Sequence, residues 1–185
     1  MVLFVGYFSR EKRPDLLFRV WTDARERGAG GTLLMVGATQ GRHPEIDPAL
    51  ARAIQAEAGR RGVGKHVVFV ERAEAMERVY RAADVFVMPS VREGSPNALI
   101  EAMASGLPCV ATRLPGVTDA IIDDGVSGWL VAPDDTPALA QAMGRALAND
   151  GGAGRAARAR MEAGYGFDRT AAAYLDIYRE LGAVA

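Results

Sequence analysis

Cysteine occurs once in this sequence and histidine twice, and neither residue builds a framework. A single thiol closes no internal disulfide, so Cys109, set among apolar neighbours, reads as a core thiol. His43 and His66 fall in separate loops with no partners at metal-ligand spacing. The acidic pairs Asp123-Asp124 and Asp134-Asp135 lie in turn-rich segments, so no metal site is expected. An excess of either charge is also missing. Lys+Arg 22 against Asp+Glu 23 leaves a net charge of −1, which gives no basic field for nucleic acid. No uninterrupted apolar run approaches membrane-span length, and Met1 leads straight into a strand pattern rather than a signal peptide. A soluble, cytoplasmic domain is the expectation. Neither a serine–histidine nor a cysteine–histidine arrangement points to a covalent hydrolase, and there is no internal repeat.

What is present is a core-forming chain of 185 residues, 49% apolar, a length that fits one domain. Val2 to Tyr7 reads as a buried strand, followed by the charged loop Ser9-Arg10-Glu11-Lys12-Arg13. Pro14 then opens a helix carrying Leu17, Val20, Trp21 and Ala24 at helical spacing. Strands are expected at Thr32–Val36, Val67–Val70, Val85–Met88, Cys109–Thr112 and Gly128–Val131. Helices are expected at Ala49–Arg61, Glu74–Ala83, Val117–Ile122 and Thr136–Asn149, the last capped by Thr136 with Pro137 at its first position. Gly151 to Gly154 breaks the pattern, an Ala/Arg-rich helix resumes to Glu162, and Asp168 caps a final helix with Tyr174, Ile177, Tyr178 and Leu181 on one stripe. Strand and helix alternating from end to end predict an α/β, Rossmann-like parallel sheet with helices on both faces. Ligands of such sheets sit at the carboxyl ends of the strands. That places the loops after Tyr7, Val70, Met88 and Thr112 on one rim.

The most informative stretch is VFVMPSVREGSPNALIEAMASGLP, Val85 to Pro108. A short apolar strand ends at Pro89-Ser90, a polar turn follows, and Ser95-Pro96 is a helix-start signal, the serine as cap and the proline at the first helical position. The helix is apolar nearly all round until Gly106-Leu107-Pro108 stops it, except for Glu101. A carboxylate among buried neighbours is costly without hydrogen-bond donors. Asn97 and Glu101 share a face, which carries the carboxylate past the open amides of Asn97 and Ala98. Such amides favour a phosphate, and an acid one turn further along suits the hydroxyls of a ribose. Glu93, beside a Gly94 that permits close backbone approach, is a second acceptor. Each glutamate alone has a bland reading, solvated or paired with an arginine; both together, around this helix start, favour ligand binding.

Glu93 and Glu101 enclose seven residues, and EGSPNALIEAMASGLP resembles the E-x(7)-E signature of retaining, group 1 glycosyltransferases with the GT-B fold. The resemblance runs from the first strand to the last helix and implies the C-terminal, donor-binding domain of such an enzyme. It implies that Glu101 holds the ribose of a nucleotide-sugar and Glu93 holds hydroxyls of the transferred sugar. It further implies that the turn through Gly94, Ser95, Asn97 and Ala98 meets the diphosphate, and that Lys12, in the loop after Gly6, neutralises it. The arginine that relatives place just after that glycine is Tyr7 here, so Arg10 or Arg13 would have to substitute. Relatives read the base with the loop after the third strand, here Val70-Glu71-Arg72, and backbone contacts there suit uracil, guanine or adenine equally. Leu114 to Thr118 lies where relatives put a turn near the donor sugar, although a plain tight turn explains Pro-Gly just as well.

By the same resemblance no cofactor is required, and the donor is a UDP-, GDP- or ADP-sugar. The absence of any Asp-x-Asp argues against a metal-dependent transferase of the other common fold. The family's N-terminal acceptor domain has no counterpart in these residues, so the chain would be inactive alone. The helix at 168–181 would pack on that missing domain, and any peripheral membrane association would come through it. Two rivals stand beside this reading. One is a sugar-nucleotide epimerase or phosphorylase fragment of the same fold. The phosphorylase needs a pyridoxal-phosphate lysine, and Lys12 and Lys65 are the only lysines, neither in a suitable motif. The other is a stand-alone nucleotide-sugar-binding module.

Overall fold

A computed structural model describes residues 1–41, 43–149 and 151–182; the expected single domain over 1–185 includes positions outside that description. Six strands form one parallel sheet: β1 (Val2–Val5), β2 (Leu33–Val36), β3 (Val67–Val70), β4 (Val85–Met88), β5 (Cys109–Thr112) and β6 (Trp129–Val131). Their order across the sheet is β3-β2-β1-β4-β5-β6, so the chain reverses direction of travel between β1 and β4. The α/β, Rossmann-like expectation is met.

Between the strands run α1 (Pro14–Glu26), α2 (Pro48–Arg60), α3 (Met76–Ala82), α4 (Asn97–Ala104) and α5 (Thr118–Ile121), and after β6 come α6 (Thr136–Ala148), α7 (Gly152–Gly164) and α8 (Phe167–Glu180). The strands are too apolar to alternate with polar residues because both faces are covered. Val2, Phe4, Leu33, Met35, Val85, Val87 and Val110 point to one face, where Leu17 and Trp21 of α1, Ile54 of α2 and Leu139 and Met143 of α6 pack. Leu3, Val36, Phe86, Met88, Cys109 and Ala111 point to the other, against Tyr80 of α3, Leu99 and Met103 of α4 and Met161 of α7. Each fully buried side chain of this size contributes about 1.5–3 kcal/mol. Cys109 is completely enclosed, and burial pushes its thiol well above the ordinary value, as a core thiol should behave.

Several helix ends differ from expectation for local reasons. Asp135 rather than Thr136 caps α6, accepting from the Ala138 amide at 2.9 Å; a carboxylate one residue earlier reaches the same donor with stronger charge. The last helix starts at Phe167 behind Gly166, so Asp168 sits in its first turn instead of capping it. Of the glycines at 151, 152 and 154, Gly151 alone precedes α7; Gly154 lies inside that helix. A Cβ there would overlap the Gly106 carbonyl oxygen well inside 3.0 Å, so this glycine permits α7 to lie directly on the end of α4. Among the described residues no helix is long and apolar enough to cross a membrane.

Candidate functional site

The reversal between β1 and β4 opens a crevice at the carboxyl ends of the strands, where α/β sheets take ligands. A cleft of about 420 Å³ occupies it. Its floor is main chain: the Gly6 amide donates to the Val36 carbonyl and the Gly37 amide to the Val70 carbonyl, both at 2.9 Å. Gly37 has φ +146° and stands so close that a side chain there would collide with the Gly6 carbonyl. Two bare glycines thus bring the loops after β1 and β2 together and leave room above them.

The wall facing this floor is the β4–α4 unit. Glu93, Ser95, Asn97, Ala98 and Glu101 line the cleft with Gly6, Lys12 and Arg72, while Met76 and Met88 give it an apolar side. Eight of the eleven expected site residues therefore converge. Lys12 donates from Nζ to Oε2 of Glu93 at 2.6 Å; the glutamate side chain is only 6% exposed, so the ammonium is what compensates its burial. Gly94 instead lines a second recess, of about 340 Å³, that Lys12 and Glu93 also border.

Two details of the helix start depart from the sequence expectation. The helix begins at Asn97, with Pro96 in the cap position and no side-chain cap. Ser95 instead donates its hydroxyl to Oδ1 of Asn97 at 3.1 Å, and the Asn97 amide turns back to the Ser95 carbonyl at 2.9 Å. Proline cannot donate, and its carbonyl accepts from Leu99 and Ile100. Among the described residues the Ala98 amide, in the first turn of the helix, has no hydrogen-bond partner, and Ala98 lines the cleft.

Glu101 is exposed, contrary to the expectation of a carboxylate among buried neighbours. The strip of α4 it occupies faces the crevice rather than the core. Its Oε2 accepts from the Tyr80 hydroxyl at 2.9 Å. Burial first, and the hydrogen bond and charge of Glu101 second, hold the Tyr80 phenol far above its usual pKa, so it donates at any pH of interest. Tyr80 is a core residue of α3, and its link to the site depends on a contact between two helices that no local pattern encodes.

Other expected positions lie elsewhere. Arg13, in a left-handed conformation at the start of α1, pairs with Asp134 and, at 3.4 Å, with Asp15, so its charge is turned away from the cleft. Arg10 reaches Asp47 at 3.4 Å. Val70 contributes its carbonyl to the Gly37 amide and does not line the cleft, whereas the exposed Arg72 does. Leu114 to Thr118 closes as a tight turn: the Thr118 hydroxyl accepts from the Leu114 amide and donates to the Thr112 carbonyl, away from the cleft. Tyr7, standing where an arginine was expected, lines the cleft and packs on His43 with ring centroids 4.7 Å apart. Among the described residues no group of three or more His, Cys, Asp or Glu gathers as a metal would require.

Comparison with known proteins gives this cleft a context. A family model described as "Glycosyl transferases group 1" matches residues 1–149. A D-inositol 3-phosphate glycosyltransferase of Xylanimonas cellulosilytica is 35% identical over 97% of the chain, which corresponds to the C-terminal part and 42% of that longer protein. The sucrose-phosphate synthase of Thermosynechococcus elongatus superposes over the whole chain and 46% of its own, with a TM-score of 0.85 and 32% identity. The Anabaena HepE structure in complex with UDP superposes over 99% of the chain and 49% of its own with a TM-score of 0.79; at 21% identity this likeness concerns the fold. The chain thus spans less than half the length of the curated relatives it matches. With the sheet order, the cleft at its turning point and a family match over four-fifths of its residues in agreement, the chain belongs to the group 1 glycosyltransferases.

Proposed function

We propose that this chain is the donor-binding half of a retaining glycosyltransferase that moves a sugar from a nucleotide-sugar to an acceptor held by another domain. The observation that carries the reading is the convergence of Lys12, Glu93, Glu101 and the unpartnered Ala98 amide on one cleft at the sheet's turning point. In this reading the pyrophosphate lies at the first turn of α4, where the amide and the helix dipole favour an anion. Glu101, one turn on, accepts from the ribose hydroxyls. Glu93 accepts from hydroxyls of the transferred sugar, and Arg72 with the end of β3 borders the base. When the sugar–oxygen bond breaks, Lys12 and the α4 amides stabilise charge growing on the departing nucleotide diphosphate. No side chain of this chain acts as nucleophile. A uridine nucleotide is the first candidate, since the HepE relative holds UDP.

Calorimetric titration with UDP, GDP and ADP tests this. One diphosphate is expected to bind, and no sugar transfer is expected from the chain alone, because one wall of the active cleft belongs to the remaining half of the longer relatives. Lys12→Ala is expected to weaken binding by about 3–5-fold. That is less than a free ammonium would give, because Lys12 must surrender part of its bond to Glu93 in order to serve a phosphate. Binding by none of the three, or turnover by the chain alone, would overturn the corresponding part of the reading.

The remaining half of the longer relatives also gives α8 a role in this reading. Phe167, Tyr174, Ile177, Tyr178 and Leu181 are all exposed, the last at 75%, and none of the helix is buried. In a soluble protein a stripe of this kind marks a docking face, and the proposed occupant is the acceptor-binding half. The isolated chain is expected to self-associate as concentration rises, and Ile177→Ser with Leu181→Ser to abolish this without lowering Tm. A strict monomer at all concentrations in sedimentation experiments would contradict it.

A further inference from the structure

Glu101 presents a problem that Tyr80 solves. An exposed glutamate has three rotatable bonds, and ordering such a side chain costs conformational entropy that a ligand would otherwise have to supply on binding. In this structure the order is already present. The Tyr80 ring is 2% exposed and set edge-on to Phe86, centroids 6.2 Å apart, so its hydroxyl is fixed by the core of the protein. That hydroxyl reaches one carboxylate oxygen of Glu101, Oε2, at 2.9 Å. Among the described residues the other oxygen, Oε1, has no hydrogen-bond partner, and Glu101 lines the cleft.

We infer that Tyr80 is a positioning residue: its buried phenol clamps one oxygen of Glu101 so that the other is presented, already oriented, to the adjacent hydroxyls of a nucleotide's pentose. The inference rests on the nucleotide reading above. The phenol touches no ligand itself; it acts through the carboxylate, as a supporting residue orients a ligand-binding group elsewhere. Burial keeps the phenol protonated, so it retains the proton that it donates to Glu101. The alternative is that the hydroxyl merely satisfies its own hydrogen bond while the ring packs.

The two are separated by ligands that lack the pentose hydroxyls. The chain is titrated with UDP, GDP and ADP, and with the 2′,3′-dideoxy form of whichever binds best. The unaltered chain is expected to favour the hydroxylated form by about tenfold or more. Tyr80→Phe, which keeps the ring, is expected to weaken that form about fivefold and to leave the dideoxy form within about twofold. In a Glu101→Gln background the same change is expected to add less than about twofold, since the two groups act as one. Equal weakening of both ligands by Tyr80→Phe, or undiminished discrimination, overturns the positioning role and leaves the nucleotide reading intact. An unaltered chain that does not discriminate, or binds none of the three, overturns the ribose reading and the positioning role with it. Should Tyr80→Phe fail to fold, a crystal structure of the unaltered chain with the diphosphate decides. Glu101 on the ribose and still within about 3.2 Å of the Tyr80 hydroxyl supports the role; Glu101 swung away from Tyr80 overturns it.

Discussion

Replacing Glu101 by Gln is expected to weaken nucleotide binding by about 10–30-fold, about 1.5–2 kcal/mol. Glutamine has nearly the same shape, and its carbonyl oxygen still accepts from the Tyr80 hydroxyl. What changes is the free end, which becomes an amide donor facing the hydroxyls that a carboxylate would accept from. The loss is placed in the lower part of the range for charged hydrogen bonds because Glu101 is exposed in the free chain, and water competes for it until the ligand covers it. For the same reason the substitution leaves stability almost untouched. Calorimetry and a thermal melt on the same sample separate the two effects: affinity is expected to fall while Tm holds. An affinity equal to that of the unaltered chain would remove the ribose role of Glu101.

Gly37→Ala is expected to destabilise the fold by about 3 kcal/mol or more. Its backbone has φ +146°, strained for any residue with a side chain, and a Cβ there would overlap the Gly6 carbonyl oxygen. Relief requires the ends of β1 and β2 to move apart, which also breaks the floor of the cleft. For a chain of this size the corresponding drop in Tm is about 6–12 °C, and nucleotide binding should be lost with it. Gly94→Ala is the matching control. A Cβ at Gly94 meets nothing within 4 Å, so stability should stay within about 0.5 kcal/mol. Urea denaturation gives both values. A Gly37→Ala protein within about 1 kcal/mol of the unaltered chain would show that the close approach of the two loops is not a constraint.

Much of this was legible in the residues because the signals are local. The apolar runs at Val67–Val70, Val85–Met88 and Cys109–Thr112 are strands at the boundaries their composition indicates, and Pro14 opens its helix where proline should. The E-x(7)-E stretch likewise brings Glu93 and Glu101 to one cleft because a short loop and one helical turn span the distance. What could not be read depends on contacts far apart in the chain. The link from Tyr80 to Glu101 joins two helices, and the room for a side chain at Gly37 is taken by Gly6, far from it in sequence. Arg13 stands beside Arg10 in the sequence as a substitute for the arginine that Tyr7 replaces, yet the left-handed turn at the helix start sends it to Asp134 while Lys12 reaches Glu93. The exposure of Glu101 was misjudged for a related reason. Helical periodicity shows that α4 is largely apolar but not that one strip of it faces an open crevice.

A crystal structure of the chain soaked with a UDP-sugar tests the central claim most directly. The expected result is density for the pyrophosphate against the Ala98 amide, with the ribose at Glu101 and the sugar towards Glu93. Density in any other crevice, with the cleft between β1 and β4 empty, would contradict it.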